Sequence, residues 1–177
     1  MAFIDTIYEK ARQNKKRVAI PECTNEIMMR AAVRAAEAGI ADIVLRSCGI
    51  GKDRLGVFQG IPAGSSSSLV GRIAQQYRSG GHDGLLAIGG NSVIDTAKAV
   101  GLLVSRGGED VTAFVGLRAM EEPAVPLIAI PTAIGCVSGG NASAIIESSR
   151  TGRRLLFSSP CLVPYATVID PQTTRSL

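Results

Sequence analysis

DGLLAIGGNSVIDTAKA, residues 83–99, decides how this chain folds. Leu85, Leu86, Ala87 and Ile88 make a short apolar run that reads as a buried strand. Gly89, Gly90, Asn91 and Ser92 break it, and from Val93 to Leu103 apolar residues resume at helical spacing. A strand, a Gly-Gly turn and a helix opening at Ser92 make a device for holding an anion. The turn lets backbone approach the ligand, and the helix N-terminus offers unpaired N–H groups and a partial positive charge. A plain strand-to-helix turn with no ligand has the same spacing, so these residues alone leave both readings open.

The 177 residues fit one domain of ordinary size. Apolar residues make up 46% and charged residues 19%, a globular composition rather than a disordered one. Aromatics are scarce and Trp is absent, so the core is expected to be Ala, Val, Ile and Leu, as in a sheet covered by helices. The net charge of +4 is scattered; Lys15, Lys16 and Arg17 form its one cluster, with no interleaved aromatics, which speaks against nucleic acid. Cys23, Cys48, Cys136 and Cys161 lie far apart without CxxC spacing and read as reduced thiols, not as disulfides or a zinc site. With neither a signal core nor a membrane-length apolar run, a cytoplasmic protein without a membrane partner is expected.

Outward from the central stretch, residues 3–14 read as an amphipathic helix and Val18, Ala19 and Ile20 as a first strand ended by Pro21. A helix capped within residues 22–25 stops at Gly39, and 41–45 reads as a second strand, giving a βαβ unit with parallel pairing. Residues 55–61 alternate as a third strand. Ser65 to Ser68 read as caps of a helix bearing Leu69, Ile73, Ala74 and Tyr77, ended by Gly80-Gly81. Beyond a polar stretch at 105–122, 125–130 is a strand, 142–146 and 155–157 a hairpin turning near Thr151-Gly152, and 165–169 a last strand. The fold class is therefore α/β: a Rossmann-like parallel sheet flanked by helices, with a C-terminal β-hairpin and no internal repeat.

Ligands of such sheets lie beyond the carboxyl ends of the strands. Four ends qualify: Glu22, Arg46-Ser47, Gly89 to Ser92, and Pro131 to Ser138. Together they offer amides, hydroxyls and one acid, which suits a sugar-phosphate better than a metal. The single His82 reads as a surface turn residue and cannot assemble a histidine cluster. Cys136 reads as a packed thiol, having no base near it in sequence.

These segments carry a resemblance. From about residue 55 onward the chain is similar to the N-terminal, dehydroquinate synthase-like nucleotide-binding domain of iron-containing alcohol dehydrogenases. DGLLAIGGNSVIDTAKA resembles that family's GGGS-x-x-D-x-A-K segment. PLIAIPTAIGCVSGG (126–140) resembles its PTTAGTGSE segment, and LVPYATVIDP (162–171) its closing L-x-P-x-x-A…DP. The resemblance implies one dinucleotide-binding domain over 1–177, with NAD favoured over NADP. It implies that Gly89, Gly90, Asn91 and Ser92 meet the pyrophosphate and that Asp95 sits near the nicotinamide or its ribose. Thr132 and Ser138 would contact the cofactor from the second motif, Arg154 would stand for a cofactor-contacting Lys, and Glu22 would accept from the adenosine ribose.

Asn91 departs from the motif's third glycine; Ala133, Cys136, Val137 and Gly139 replace its Thr, Thr, Gly and Glu. The family's iron or zinc ligands belong to a helical C-terminal domain that this sequence does not supply, so no metal site and no catalytic residue is expected. The implied chemistry is hydride transfer between an alcohol and the nicotinamide, incomplete in this chain alone. A homo-oligomer, or a partner bringing the metal domain, is expected to cover the exposed face. Residues 3–45 also resemble the opening of phosphate acetyltransferases, so an acyltransferase fragment is the second reading; a non-catalytic nucleotide- or partner-binding module is the third.

Overall fold

The computed structural model describes residues 18–21, 55–58, 60–116, 124–133 and 135–169. Short apolar runs bounded by Gly, Pro and polar residues form the strands β1 (Val18–Pro21), β2 (Leu55–Phe58), β3 (Gly84–Gly89), β4 (Leu127–Pro131) and β7 (Ala166–Thr167). They make one parallel sheet in the order β2-β1-β3-β4-β7. β5 (Ser143–Glu147) and β6 (Arg154–Ser158) pair antiparallel as a separate hairpin, as the alternation of Ala144 and Ile146 with polar neighbours predicts. Two helices, α1 (Ser67–Ser79) and α2 (Asn91–Arg106), complete the described framework.

The strand order contains a reversal. β2 lies on one side of β1, and β3, β4 and β7 follow in turn on the other. The crevice beyond the carboxyl ends of β1 and β3 is thus a topological switch point, where sheets of this kind bind ligands. Gly89 and Gly90 stand at that end of β3.

α2 is buried at every position from Val93 to Leu103. It packs on β3 and β4 on one side, against α1 on another and under β5 on a third. A helix apolar nearly all round suits such a central place, and Ala97, Val100 and Leu103 join Leu85, Ala87 and Ala129 in one core. α1 is one-sided: Val70, Ile73, Ala74 and Tyr77 are buried and its other face is polar. The guanidinium of Arg78 donates to the carbonyls of Leu103 and Gly108, each at 2.8 Å, tying the end of α1 to the end of α2.

The helix expected from the serine run is present, with Ser66 as its N-cap accepting from Leu69 N at 3.3 Å. α2 opens one residue earlier than expected, at Asn91, because Gly90 takes the extended cap conformation. β2 and β7 are shorter than the runs read at 55–61 and 165–169, and the polar stretch after α2 holds a 3-10 turn at Val111–Phe114. His82 is not a surface turn residue. Its half-buried ring packs edge-on to Tyr77 and fills the space left by two glycines: a Cβ on Gly80 or Gly56 would lie 2.4 or 2.6 Å from its Nε2. The helices read at 3–14 and 22–38, the strand at 41–45 and Glu22 lie outside the described residues.

Candidate functional site

The turn from β3 into α2 is shaped by a close approach. A Cβ on Gly89 would lie 2.6 Å from Val93 Cγ2, so only glycine lets the strand end run this near the helix. Val93 N and Ile94 N both bond back to Gly90 O. Asn91 N and Ser92 N have no acceptor among the described residues, and Gly90 supplies no side-chain cap. α1 begins differently: besides Ser66, the hydroxyl of Ser149 accepts Ser68 N at 2.9 Å, so its first amides are taken. Of the two described helix N-termini, the one at the switch point keeps its first amides unengaged among the described residues.

Two loops close around it. Thr132 N donates to Gly89 O at 3.1 Å, fixing the end of β4 beside the turn. The side-chain oxygen of Asn91 accepts from Ser138 N and from the Cys136 thiol, both at 3.1 Å. Asn91 thus turns its carboxamide oxygen toward the 136–138 loop and fastens that loop to the first turn of α2. Thr132 and Ser138 are buried there. The third wall is the loop after β2, where Gly64 N donates to the hydroxyl of Ser92 at 3.3 Å. Sequence reasoning missed Gly64 and Ser65. The signal was available, since reading 55–61 as a parallel strand already places its carboxyl end on the ligand-facing rim.

Asp95 and Lys98 lie one turn apart on the side of α2 that faces the hairpin. Asp95, 7% exposed, accepts Ile145 N at 3.0 Å through Oδ2, while its Oδ1 is buried with no hydrogen-bond partner among the described residues. Lys98, 2% exposed, donates to Asn141 O at 2.8 Å, Asn141 Oδ1 at 2.7 Å and Ser143 O at 2.9 Å. Burial raises the Asp95 carboxyl above its ordinary value, with the Ser138 hydroxyl, the Ile145 N–H and Lys98 opposing. Burial likewise lowers the Lys98 ammonium, against the pull of Asp95. Burial pushes the Cys136 thiol up from its ordinary value, and its Sγ donates to Asn91 Oδ1.

Arg154 opens β6 directly opposite Glu147, and Glu147 N donates to Ser65 O at 2.8 Å. The hairpin therefore reaches the rim through the same loop that touches Ser92. Gly89, Gly90, Asn91, Ser92, Thr132 and Ser138 are brought together at one place, Asp95 lies beneath them, and Arg154 stands at the rim end of the hairpin.

A sequence model described as iron-containing alcohol dehydrogenase matches residues 6–171. The chain belongs to the iron-containing alcohol dehydrogenase family. The family match runs through the opening segment that resembles phosphate acetyltransferases. Among relatives, 4-hydroxybutyrate dehydrogenase of Cupriavidus necator is 39% identical over 127 residues, 70% of this chain and 33% of that protein. Lactaldehyde reductase of Escherichia coli is 28% identical over 166 residues, 87% of this chain and 43% of that protein. In fold, the chain matches NADH-dependent butanol dehydrogenase A of Thermotoga maritima with a TM-score of 0.79 at 24% identity. That match covers 98% of this chain and 42% of the other. It also matches sulfoacetaldehyde reductase of Bifidobacterium kashiwanohense, solved with NAD+, with a TM-score of 0.71 at 18% identity over 97% of this chain and 43% of the other.

The chain thus spans about a third to two-fifths of the length of these relatives. Among the described residues no three His, Cys, Asp or Glu side chains gather as a metal site, so these residues do not fit the family's metal ion. No helix among them is long and apolar enough to cross a membrane.

Proposed function

We propose that this chain binds a nicotinamide dinucleotide, NAD in the first place, with the diphosphate on the open first turn of α2. The observation that carries the reading is the pair of unengaged amides, Asn91 N and Ser92 N, at the switch point of a parallel sheet. Gly89 and Gly90 let a phosphate come close to backbone, and the partial positive charge of α2 favours its negative charge. The Ser92 hydroxyl, which accepts from Gly64 N, keeps its own proton to donate to a phosphate oxygen. Thr132 and Ser138 border the same space, and in this reading Arg154, opposite Glu147 on the hairpin, supplies a cation from the neighbouring rim loop.

The bound dinucleotide would supply the hydride acceptor or donor of an alcohol dehydrogenase reaction. The residues described here bind and orient it. The chain spans about a third to two-fifths of these relatives, and the substrate alcohol and the full dehydrogenase activity lie outside this proposal. A homo-oligomer, or an assembly with a chain bearing the metal ligands, and a cytoplasmic setting complete the proposal.

Thermal shift of the full 177-residue chain with NAD(H), NADP(H), acetyl phosphate or coenzyme A tests it. At about 100 times the dissociation constant, a true ligand adds roughly 2.7 kcal/mol and raises Tm by roughly 5–10 °C. Such a rise with NAD(H) alone supports the reading. A rise with coenzyme A alone favours the acyltransferase, and a rise with none contradicts dinucleotide binding.

A further inference from the structure

At position 91, where the resemblance puts a glycine, this chain carries a carboxamide on the first residue of α2. Its neighbours fix which way that carboxamide faces. Ser138 N lies 3.1 Å from Oδ1, and a backbone N–H can only donate, so the atom it meets is the oxygen. The Cys136 thiol donates to the same oxygen at 3.1 Å. Both bonds come from the loop beyond β4, so the acceptor of Asn91 is turned to that loop and occupied there. The other arm of the carboxamide, Nδ2, has no acceptor among the described residues, and Asn91 is exposed. Ser92 repeats the pattern: its hydroxyl oxygen accepts from Gly64 N at 3.3 Å and keeps its proton. Both side chains at the start of α2 thus have an acceptor engaged by a neighbouring loop and donors left over. The backbone amides of the same two residues are unengaged as well. A set of donors whose acceptor atoms are taken up by protein N–H and S–H groups suits an oxyanion.

We propose that the Asn91 side chain itself binds the diphosphate: held through Oδ1 by the 136–138 loop, it donates from Nδ2 to a phosphate oxygen that the backbone amides of Asn91 and Ser92 also meet. This role rests on the dinucleotide reading above. The departure from glycine then adds a side-chain donor where the family pattern leaves backbone alone. Because Oδ1 is engaged by two donors, the carboxamide is oriented before the ligand arrives, and little rotamer freedom is lost on binding.

The test follows the side-chain NH2 pair of Asn91 in 1H–15N spectra of the full chain titrated with NADH, the pair being identified by its disappearance in Asn91→Gly. It should shift saturably, with the same Kd as the backbone amides of Asn91 and Ser92, while the pairs of Gln75 and Gln76 on α1 stay in place. Asn91→Gly should weaken NADH binding roughly tenfold in a fluorescence titration, the size of one charge-assisted hydrogen bond. An Asn91 pair that stays still while the backbone amides of Asn91 and Ser92 shift would overturn the proposal and leave dinucleotide binding intact. So would equal or tighter binding by Asn91→Gly, the result expected of a side chain that only plugs the turn. If Asn91→Gly does not fold, the wild-type titration decides alone, with the pair assigned through its bonds to the Asn91 Cβ. Failure of the wild type to bind NADH overturns both.

Discussion

The side-chain oxygen of Asn91 stands 3.1 Å from the backbone nitrogen of Ser138 and accepts its N–H. One residue that departs from the family's glycine pattern thereby ties the first turn of α2 to the loop beyond β4. Asn91→Asp keeps an acceptor for Ser138 and places a favourable acid at a helix N-terminus, so stability should hold. The added negative charge would sit on the first turn of α2, where the proposal puts the diphosphate. NADH affinity should fall about tenfold or more, measured by fluorescence titration; unchanged affinity would place the phosphates elsewhere.

Gly139 stands where the resemblance puts a glutamate in the family. Its carbonyl accepts from the Thr167 hydroxyl, and a Cβ there would lie 3.0 Å from Pro131 Cγ and 3.1 Å from Thr167 Cγ2. Gly139→Ala should therefore destabilise by about 1–3 kcal/mol in urea denaturation, through crowding between β4 and β7. An unchanged midpoint would contradict the packing described.

Much of this was legible in the chain, and the reason is local. Leu85 to Ile88 has the length of a buried strand, Gly89-Gly90 ends it, and the apolar residues after Ser92 repeat at helical spacing, so strand, turn and helix follow without tertiary information. The serine caps of α1 and the hairpin of β5 and β6 were legible for the same reason. What was not legible depends on long-range contacts. Lys98 reads as an ordinary helix lysine, and only the return of β5 over α2 buries it against Asn141 and Ser143. His82 reads as a turn residue because the glycines that admit its ring, Gly56 and Gly80, are contributed by a strand and a helix cap. Gly64 meets Ser92 from twenty-eight positions away, and only the strand read at 55–61 pointed to that rim.

Asp95 predicts a pH dependence. Its folded pKa is raised from the ordinary 3.8, so the native state binds the proton more tightly than the unfolded chain. The stability this group contributes is fully present below 3.8 and is lost as pH rises through the folded value. Asp95→Asn cannot titrate and keeps a side-chain oxygen for Ile145 N. In urea titrations from pH 4 upward, the wild type should lose stability relative to Asp95→Asn; a constant difference between the two would contradict the burial of this carboxyl.

The start of α1 offers a simpler test. Ser66 caps Leu69 N, and Ser149 from the hairpin turn caps Ser68 N while its own N–H bonds the Ser67 hydroxyl at 3.1 Å. Ser66→Ala should cost about 1 kcal/mol, and Ser149→Ala a similar amount, because each leaves a helix amide without its partner. Neither should change NADH affinity; a loss of binding in either would extend the site to α1.

The most direct measurement follows the backbone amides themselves. In 1H–15N spectra of the full chain titrated with NADH, the account predicts saturable shifts largest at Asn91 and Ser92, whose N–H groups have no protein acceptor among the described residues. Ser68 and Leu69, the engaged amides of the other helix start, should scarcely move. Saturable shifts that pass over Asn91 and Ser92, or no shifts at all, would contradict it.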